Sequence, residues 1–317
     1  MNATERSIFE QFGFWRSAKL PAALPVSDTI QVVIGCGTSY NLALSIAAAF
    51  SAGGHLSIAV PAGEWLHRPQ FHVPAGQMAR VQVIALSRSG ESTETVLAAE
   101  ASRARGHRVI GITCADGSAL TRHSDEVLYA PTHAEEGIVM TASASLMLML
   151  GFALAGQTNA PVDGAEAALK ALAAIPVERF AGREHFVFLG GGANYGVAVE
   201  GSLKLQEMSL SYTQAFHPFE HRHGPVSLVD AGSLVVLIYD PALEGEEAKL
   251  ASELSAKGAL VIGMGGPGDI RIDLSGAAEW RALEVLPALQ LFGEIIAQSK
   301  GLDTLAPRHL TKVVRLA

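Results

Sequence analysis

Two stretches of this chain read as copies of one another. Val32-Val33-Ile34-Gly35-Cys36-Gly37-Thr38-Ser39-Tyr40-Asn41 can be laid over Val187-Phe188-Leu189-Gly190-Gly191-Gly192-Ala193-Asn194-Tyr195-Gly196. Each gives an apolar run, then G-x-G-x-x-Y, then an apolar segment of helical character. Strand, glycine turn and helix in that order open a βαβ unit, and a chain that opens it twice is built from two like domains. The length of 317 residues agrees, because domains average about 150 residues.

The rest of the chain keeps the same rhythm. Gln31 to Ile34, His55 to Val60, Val81 to Leu86, Arg108 to Thr113 and Glu126 to Tyr129 read as strands, with Ala- and Leu-rich helical segments between them. In the second half, Leu234 to Tyr239 and Ala259 to Gly263 supply further strands. The strands are nearly continuous apolar runs, as expected where helices cover both faces of a parallel sheet. The stretch Gly156 to Gly164 is rich in turn formers and reads as the linker. The fold class is therefore α/β, with two doubly wound domains at 26–157 and 165–303, a helical extension at 1–25 and a C-terminal tail at 304–317.

One strand-to-helix turn stands apart. Ser87-Arg88-Ser89-Gly90-Glu91-Ser92-Thr93 follows the Val81 to Leu86 run and precedes a helix reading over Val96 to Arg105. Backbone N–H groups at a helix N-terminus are unpaired, and the helix dipole favours an anion there. The hydroxyls add donors, and Gly90 permits close backbone approach. An N-cap needs only one Ser, so four hydroxyls point to a phosphate cradle. It lacks the Lys of a Walker A loop. The G-x-G turns do not fit a dinucleotide site either: Tyr40 and Tyr195 stand where tight helix–strand packing needs a third Gly.

Charge narrows the partners. A net charge of −8 argues against nucleic acid or an anionic membrane surface. Charged residues make up only 17% of the chain, so local dipoles and a few basic side chains must hold any phosphate. The two cysteines, Cys36 and Cys114, fit reduced thiols of a cytoplasmic protein. The N-terminus has no signal-peptide pattern, and the apolar run Ala144 to Ala155 is too short to span a bilayer.

The second copy carries charge where the first does not. Its helix places Glu200, Lys204 and Glu207 at i, i+4 and i+7, on one face. That spacing suits a solvated stripe as well as a buried site. Next comes His217-Pro218-Phe219-Glu220-His221-Arg222-His223-Gly224-Pro225, a Pro-bounded loop with three His. Loops on rigid scaffolds concentrate function, and a His that titrates near neutrality suits proton transfer. Zinc spacing is absent and no Cys joins the cluster, so no metal is expected. Near the C-terminus, Pro307-Arg308-His309-Leu310-Thr311-Lys312 sets a Lys beside apolar residues. It reads either as a desolvated amine able to form a Schiff base or as an ordinary surface Lys.

Taken together, GCGTSY at 35–40, SRSGES at 87–92, E-x-x-x-K-x-x-E at 200–207, HRHGP at 221–225 and PRHLTK at 307–312 resemble the sugar isomerase (SIS) superfamily over essentially the whole chain. The likeness is to its tandem, flavodoxin-like members: the isomerase half of glucosamine–fructose-6-phosphate aminotransferases, sugar-phosphate deaminases and fructosamine-6-phosphate deglycases. The resemblance implies a substrate phosphate on Ser87, Arg88, Ser89 and Ser92, with Cys36, Gly37, Thr38 and Ser39 along the sugar. It makes Glu207 the base between C1 and C2, Lys204 a contact to a substrate oxygen and Lys312 the Schiff-base amine. His223 would assist ring opening from the neighbouring subunit of a homodimer, while Glu200 and Arg308 would orient. No cofactor is implied.

Three departures qualify the match. Arg88 stands where the family often has Gln. Val139-Met140-Thr141-Ala142 replaces the usual A-S-T-K run. Met1 is not followed by a nucleophilic Cys, and no glutaminase domain precedes the repeat, so a glutamine-dependent transfer is not expected. The expected activity is an amino sugar 6-phosphate isomerase and deaminase. A deglycase and a non-catalytic sugar-phosphate sensor are the alternatives.

Overall fold

The computed structural model describes residues 1–315 and contains two five-stranded, all-parallel sheets. The first is built from β1 (Ile30–Gly35), β2 (Leu56–Pro61), β3 (Val81–Ser87), β4 (Arg108–Thr113) and β5 (Glu126–Tyr129), in the order β2-β1-β3-β4-β5. The second is built from β6 (His185–Leu189), β7 (Tyr212–Phe216), β8 (Ser233–Ile238), β9 (Leu260–Met264) and β10 (Ile270–Ile272), in the order β10-β9-β8-β6-β7. Counted from its own first strand, each sheet has the flavodoxin-like order 2-1-3-4-5. In such sheets the direction of winding reverses between strands 1 and 3, and the loops after those strands flank the binding crevice.

The helices are α1 (Ala3–Ser17), α2 (Thr38–Ala52), α3 (Ala62–His67), α4 (Thr93–Ala104), α5 (Ala119–Arg122), α6 (Ala142–Leu154), α7 (Val162–Ala173), α8 (Ala193–Ser209), α9 (Glu244–Ala256) and α10 (Arg281–Ser299). The repeat extends to backbone detail. Gly37 caps α2 with φ 54° and ψ −127°, and Gly192 caps α8 with φ 55° and ψ −130°. Positive φ is strained for any residue with a Cβ, so the second Gly of each G-x-G motif is set by the turn itself.

Two compact units partition the chain. The first-sheet unit comprises Gly13–Ala134, Ala142–Asn159 and the residues from Thr311 on. Its core joins Val32, Ile34, Val83 and Val109 from the strands to Trp65, Ala98 and Ala99 from α3 and α4. Every residue of α6 is buried, so the apolar run around Ala144–Ala155 is a core helix. The second-sheet unit comprises Met1–Phe12, Glu135–Thr141 and Ala160–Leu310. Val187, Leu189, Val235, Leu237 and Val261 form its core with Leu250 and Leu254 of α9.

The N-terminal segment of that second unit is tied down by polar contacts. Asn2 Nδ2 donates to Glu294 at 2.6 Å, Gln11 Nε2 to Gln290 at 3.2 Å, and the Thr304 hydroxyl to Thr4 at 3.0 Å. The first three residues of the departing run, Val139 to Thr141, fall on a knot in the same unit. Thr141, almost wholly buried, receives Gln290 Nε2 on its carbonyl at 2.9 Å and gives its N–H and hydroxyl to Glu136 at 2.5 and 3.0 Å.

The predicted linker is shorter than read. Its last residues, Val162 to Gly164, are the first turn of α7, which follows Pro161 and carries Asp163 near its positive end. Among the described residues no helix is long and apolar enough to cross a membrane.

Candidate functional site

In the first-sheet unit, the loops after β1 and β3 are those at the winding reversal. Ser87 is the last residue of β3, and α4 begins at Thr93. The turn is held internally. The Gly90 N–H donates to the Ser87 hydroxyl at 3.1 Å, and the Glu91 N–H to the Ser89 hydroxyl at 3.2 Å. Gly90 has φ 63°, and a Cβ there would meet the Ser118 hydroxyl at 1.9 Å. Only glycine fits.

Ser87 is almost fully buried, and its oxygen already serves the turn. Ser89 and Ser92 are partly exposed, and the Ser92 side chain does not cap α4. The N-terminal end of α4 therefore has no side-chain cap of its own, which leaves its positive dipole end for another acceptor.

The loop after β1 meets α4 directly. The Cys36 thiol lies 3.5 Å from the Thr95 hydroxyl. Burial pushes that thiol above its ordinary value, against a smaller lowering by the Thr95 hydrogen bond, so Cys36 is a neutral thiol at physiological pH. Gly37 is exposed, while Thr38 and Ser39 are buried at the start of α2. Arg88 is 8% exposed and donates from Nη2 to the Lys312 carbonyl at 3.2 Å. The Lys312 side chain is exposed, so its apolar sequence neighbours do not desolvate it.

In the second-sheet unit, α8 presents the three charged residues as a buried network, and the solvated-stripe reading falls. Glu200 and Lys204 have no exposed surface, and the Glu207 side chain is 20% exposed. The Lys204 ammonium donates to a Glu207 oxygen and lies 3.4 Å from Glu200. Burial alone would push Lys204 down, but Glu200 and Glu207 together outweigh it and hold the ammonium above the ordinary lysine value. Lys204 is therefore a fixed cation turned toward two carboxylates. Glu207 is the member that reaches solvent, in a cleft of about 300 Å³ lined by Leu210, Leu302, Pro307 and Arg308.

The histidine loop separates its three members. His217 is exposed and stacks on Tyr195 of the second glycine turn, with ring centroids 4.1 Å apart. His223 is exposed. His221 has no exposed surface, and neither ring nitrogen has a hydrogen-bond partner. Burial, then the charge of His185, lowers His221 to about 4. Arg222 anchors the loop to α9 through two bonds to Glu253, at 2.9 and 3.1 Å. Among the described residues no cluster of His, Cys, Asp or Glu is arranged to hold a metal ion.

Sequence reasoning passed over Thr95, His221 as a buried side chain, and Arg315, which pairs with Glu91 at 3.4 Å. The i, i+3 spacing of Ser92 and Thr95 on the cradle helix was the signal for the first.

Comparison with known proteins now decides the family. A SIS domain model matches residues 27–155 and 179–267, which include both glycine turns, the cradle, the α8 network and the histidine loop. The chain belongs to the SIS domain family. A glutamine–fructose-6-phosphate aminotransferase (isomerizing) from Pyrobaculum aerophilum is 31% identical over 310 residues, covering 89% of this chain and 50% of that protein. Its counterpart from Symbiobacterium thermophilum is 31% identical over 263 residues, covering 73% of this chain and 43% of that protein. This SIS chain thus spans about half the length of the curated relatives it matches.

Among crystal structures, glucosamine-6-phosphate deaminase from Thermotoga maritima superposes with a TM-score of 0.83 at 31% identity, covering 99% of this chain and 100% of the other. Tagatose-6-phosphate ketose/aldose isomerase from Escherichia coli gives 0.81 at 25% identity, covering 95% and 93%. As a tandem SIS protein, the chain is a member of the phosphosugar isomerase family, whose members are enzymes.

Proposed function

We propose that this protein is a cytoplasmic enzyme that isomerises and deaminates an amino sugar 6-phosphate of the glucosamine 6-phosphate kind. The phosphate is held by Ser87, Ser89, Ser92 and Arg88, and the sugar runs along Cys36 to Ser39. His223, exposed on its own chain, assists ring opening in the neighbouring subunit of a homodimer. Glu207 then takes the proton from C2 of the open aldose, giving an enolamine, and the proton is returned to C1. The product is a ketose imine at C2. Water adds to the imine and ammonia leaves, so that amino sugar phosphate plus water gives ketose phosphate plus ammonia.

Lys204 acts through Glu207, and Glu200 fixes Lys204. Arg308 orients substrate in the Glu207 cleft, and Lys312 is the amine placed for an iminium with the open ketose. The observation that carries this reading is the buried Glu200–Lys204–Glu207 network, with only Glu207 facing a cleft. A sensor has no need of a buried cation holding a carboxylate that reaches solvent. The likeness to the Thermotoga deaminase along the full chain supports loss of ammonia.

The test is an assay of ammonia and ketose phosphate released from glucosamine 6-phosphate. Glu207→Gln should lower turnover by about 10²–10⁴ while phosphosugar binding is kept; unchanged turnover would remove Glu207 as the base. A second reading, a plain ketose/aldose isomerase, is favoured by the likeness to the tagatose-6-phosphate isomerase. It shares every step up to proton return at C1. Interconversion of hexose phosphates with no ammonia from any amino sugar phosphate would select it.

A further inference from the structure

The cradle of the first-sheet unit is crossed by the C-terminal segment of the same unit. Arg88 Nη2 donates to the Lys312 carbonyl at 3.2 Å, and the Thr93 N–H donates to the Val314 carbonyl at 3.4 Å. Arg315 then pairs with Glu91 at 3.4 Å. The first two contacts involve an arginine and the first N–H of a helix, the two kinds of donor that hold phosphate. Both are met here by main-chain carbonyl oxygens. A carbonyl is a neutral acceptor, whereas a phosphate dianion forms charge-assisted bonds about twice as strong. Arg88 is nearly buried. A Gln at this position, the residue that the family resemblance implies, would offer a donor without the charge.

We propose that Arg88 is a positioning residue that couples phosphate recognition to Lys312. Its guanidinium holds the main chain of Lys312, a sugar phosphate takes over that bond together with the Thr93 N–H, and residues 311–315 are released to bring the Lys312 amine to the open sugar. The inference rests on the reading of Ser87–Thr93 as the phosphate site.

Limited trypsinolysis reads the release directly. The Lys312 side chain is exposed, and cleavage after it requires the segment to leave the cradle. The peptide beginning at Val313 is followed by mass spectrometry, with sorbitol 6-phosphate, which has no carbonyl to capture the Lys312 amine, sorbitol or inorganic phosphate added, while calorimetry reports binding. Sorbitol 6-phosphate is expected to speed this cleavage roughly 5- to 30-fold, the effect of losing two hydrogen bonds, and sorbitol is expected to leave it unchanged. In Arg88→Gln the cleavage should already be fast, with a much smaller response to phosphate, and Arg88→Lys should restore part of the response. The wild-type measurement stands without any variant. Binding of sorbitol 6-phosphate with no change in cleavage overturns the coupling and leaves the cradle intact. No binding of sorbitol 6-phosphate or inorganic phosphate overturns both.

Discussion

Replacing Lys204 by Met tests whether the α8 network is a buried charge cluster that the fold depends on. Lys204 and Glu200 have no exposed surface, so losing the ammonium leaves the Glu200 carboxylate desolvated. Breaking a buried pair in this way costs about 3–5 kcal/mol. Glu207, at 20% exposure, regains water and adds at most about 1 kcal/mol. For domains of this size each kcal/mol moves Tm by about 2–4 °C, so a total of about 3–6 kcal/mol should melt the single variant roughly 6–24 °C lower.

The double variant Glu200→Leu/Lys204→Met removes both buried charges and fills their volume with apolar atoms. It should regain most of the stability while remaining inactive, because Glu207 has lost the cation that positions it. Calorimetry and denaturant melts on the full chain at pH 7 supply the numbers. A loss below about 1 kcal/mol in Lys204→Met, or a double variant no more stable than the single, would refute the argument.

Three further outcomes are expected. Ser89→Ala should weaken binding of a hexose 6-phosphate by about 10- to 100-fold, the worth of one hydrogen bond to a charged group, and leave binding of the free hexose unchanged; equal losses by calorimetry would dismiss the cradle. Borohydride added with a ketose 6-phosphate should label Lys312, read by peptide mass, and labelling elsewhere or nowhere would make that residue a purely local one. His221 stays neutral when folded while the unfolded chain takes up a proton below about 6.5, so its contribution to stability is full above that value and is lost as pH falls toward about 4. His221→Phe, which suits the neighbouring Phe216 ring, should flatten this acid limb in denaturant melts, and parallel profiles for the two proteins would contradict it.

The sequence carried the fold where local rules are strict. The two glycine turns could be aligned by eye because one backbone conformation, shared by Gly37 and Gly192, demands glycine at the same place. Continuous apolar runs marked the central strands because both of their faces are buried. The strands that left no signal were β7, an edge strand reading Tyr-Thr-Gln-Ala-Phe, and β10, three residues long. Edge and very short strands bury too little for composition to mark them.

The charged helix shows a different limit. Spacing places Glu200, Lys204 and Glu207 on one face, but which way that face turns is decided by α10 and β7, which pack on α8. Burial of His221 beside two exposed histidines is likewise a matter of tertiary packing. The contact of Arg88 with the main chain of Lys312, across 224 positions of sequence, has no local signature at all.

The way the ends of the chain are used bears on how such a duplicated protein can be taken apart. The first residues belong with the second sheet and the last with the first sheet, as the bonds of Asn2 to Glu294 and of Arg88 to Lys312 illustrate. Each terminus acts as a staple in the half that did not encode its neighbours. A cut in the linker would therefore give two fragments with full sheets, one carrying away an N-terminal anchor and the other a C-terminal strap that its counterpart needs. Separate production of the two like folds would thus need each terminal segment moved to the half that it packs in.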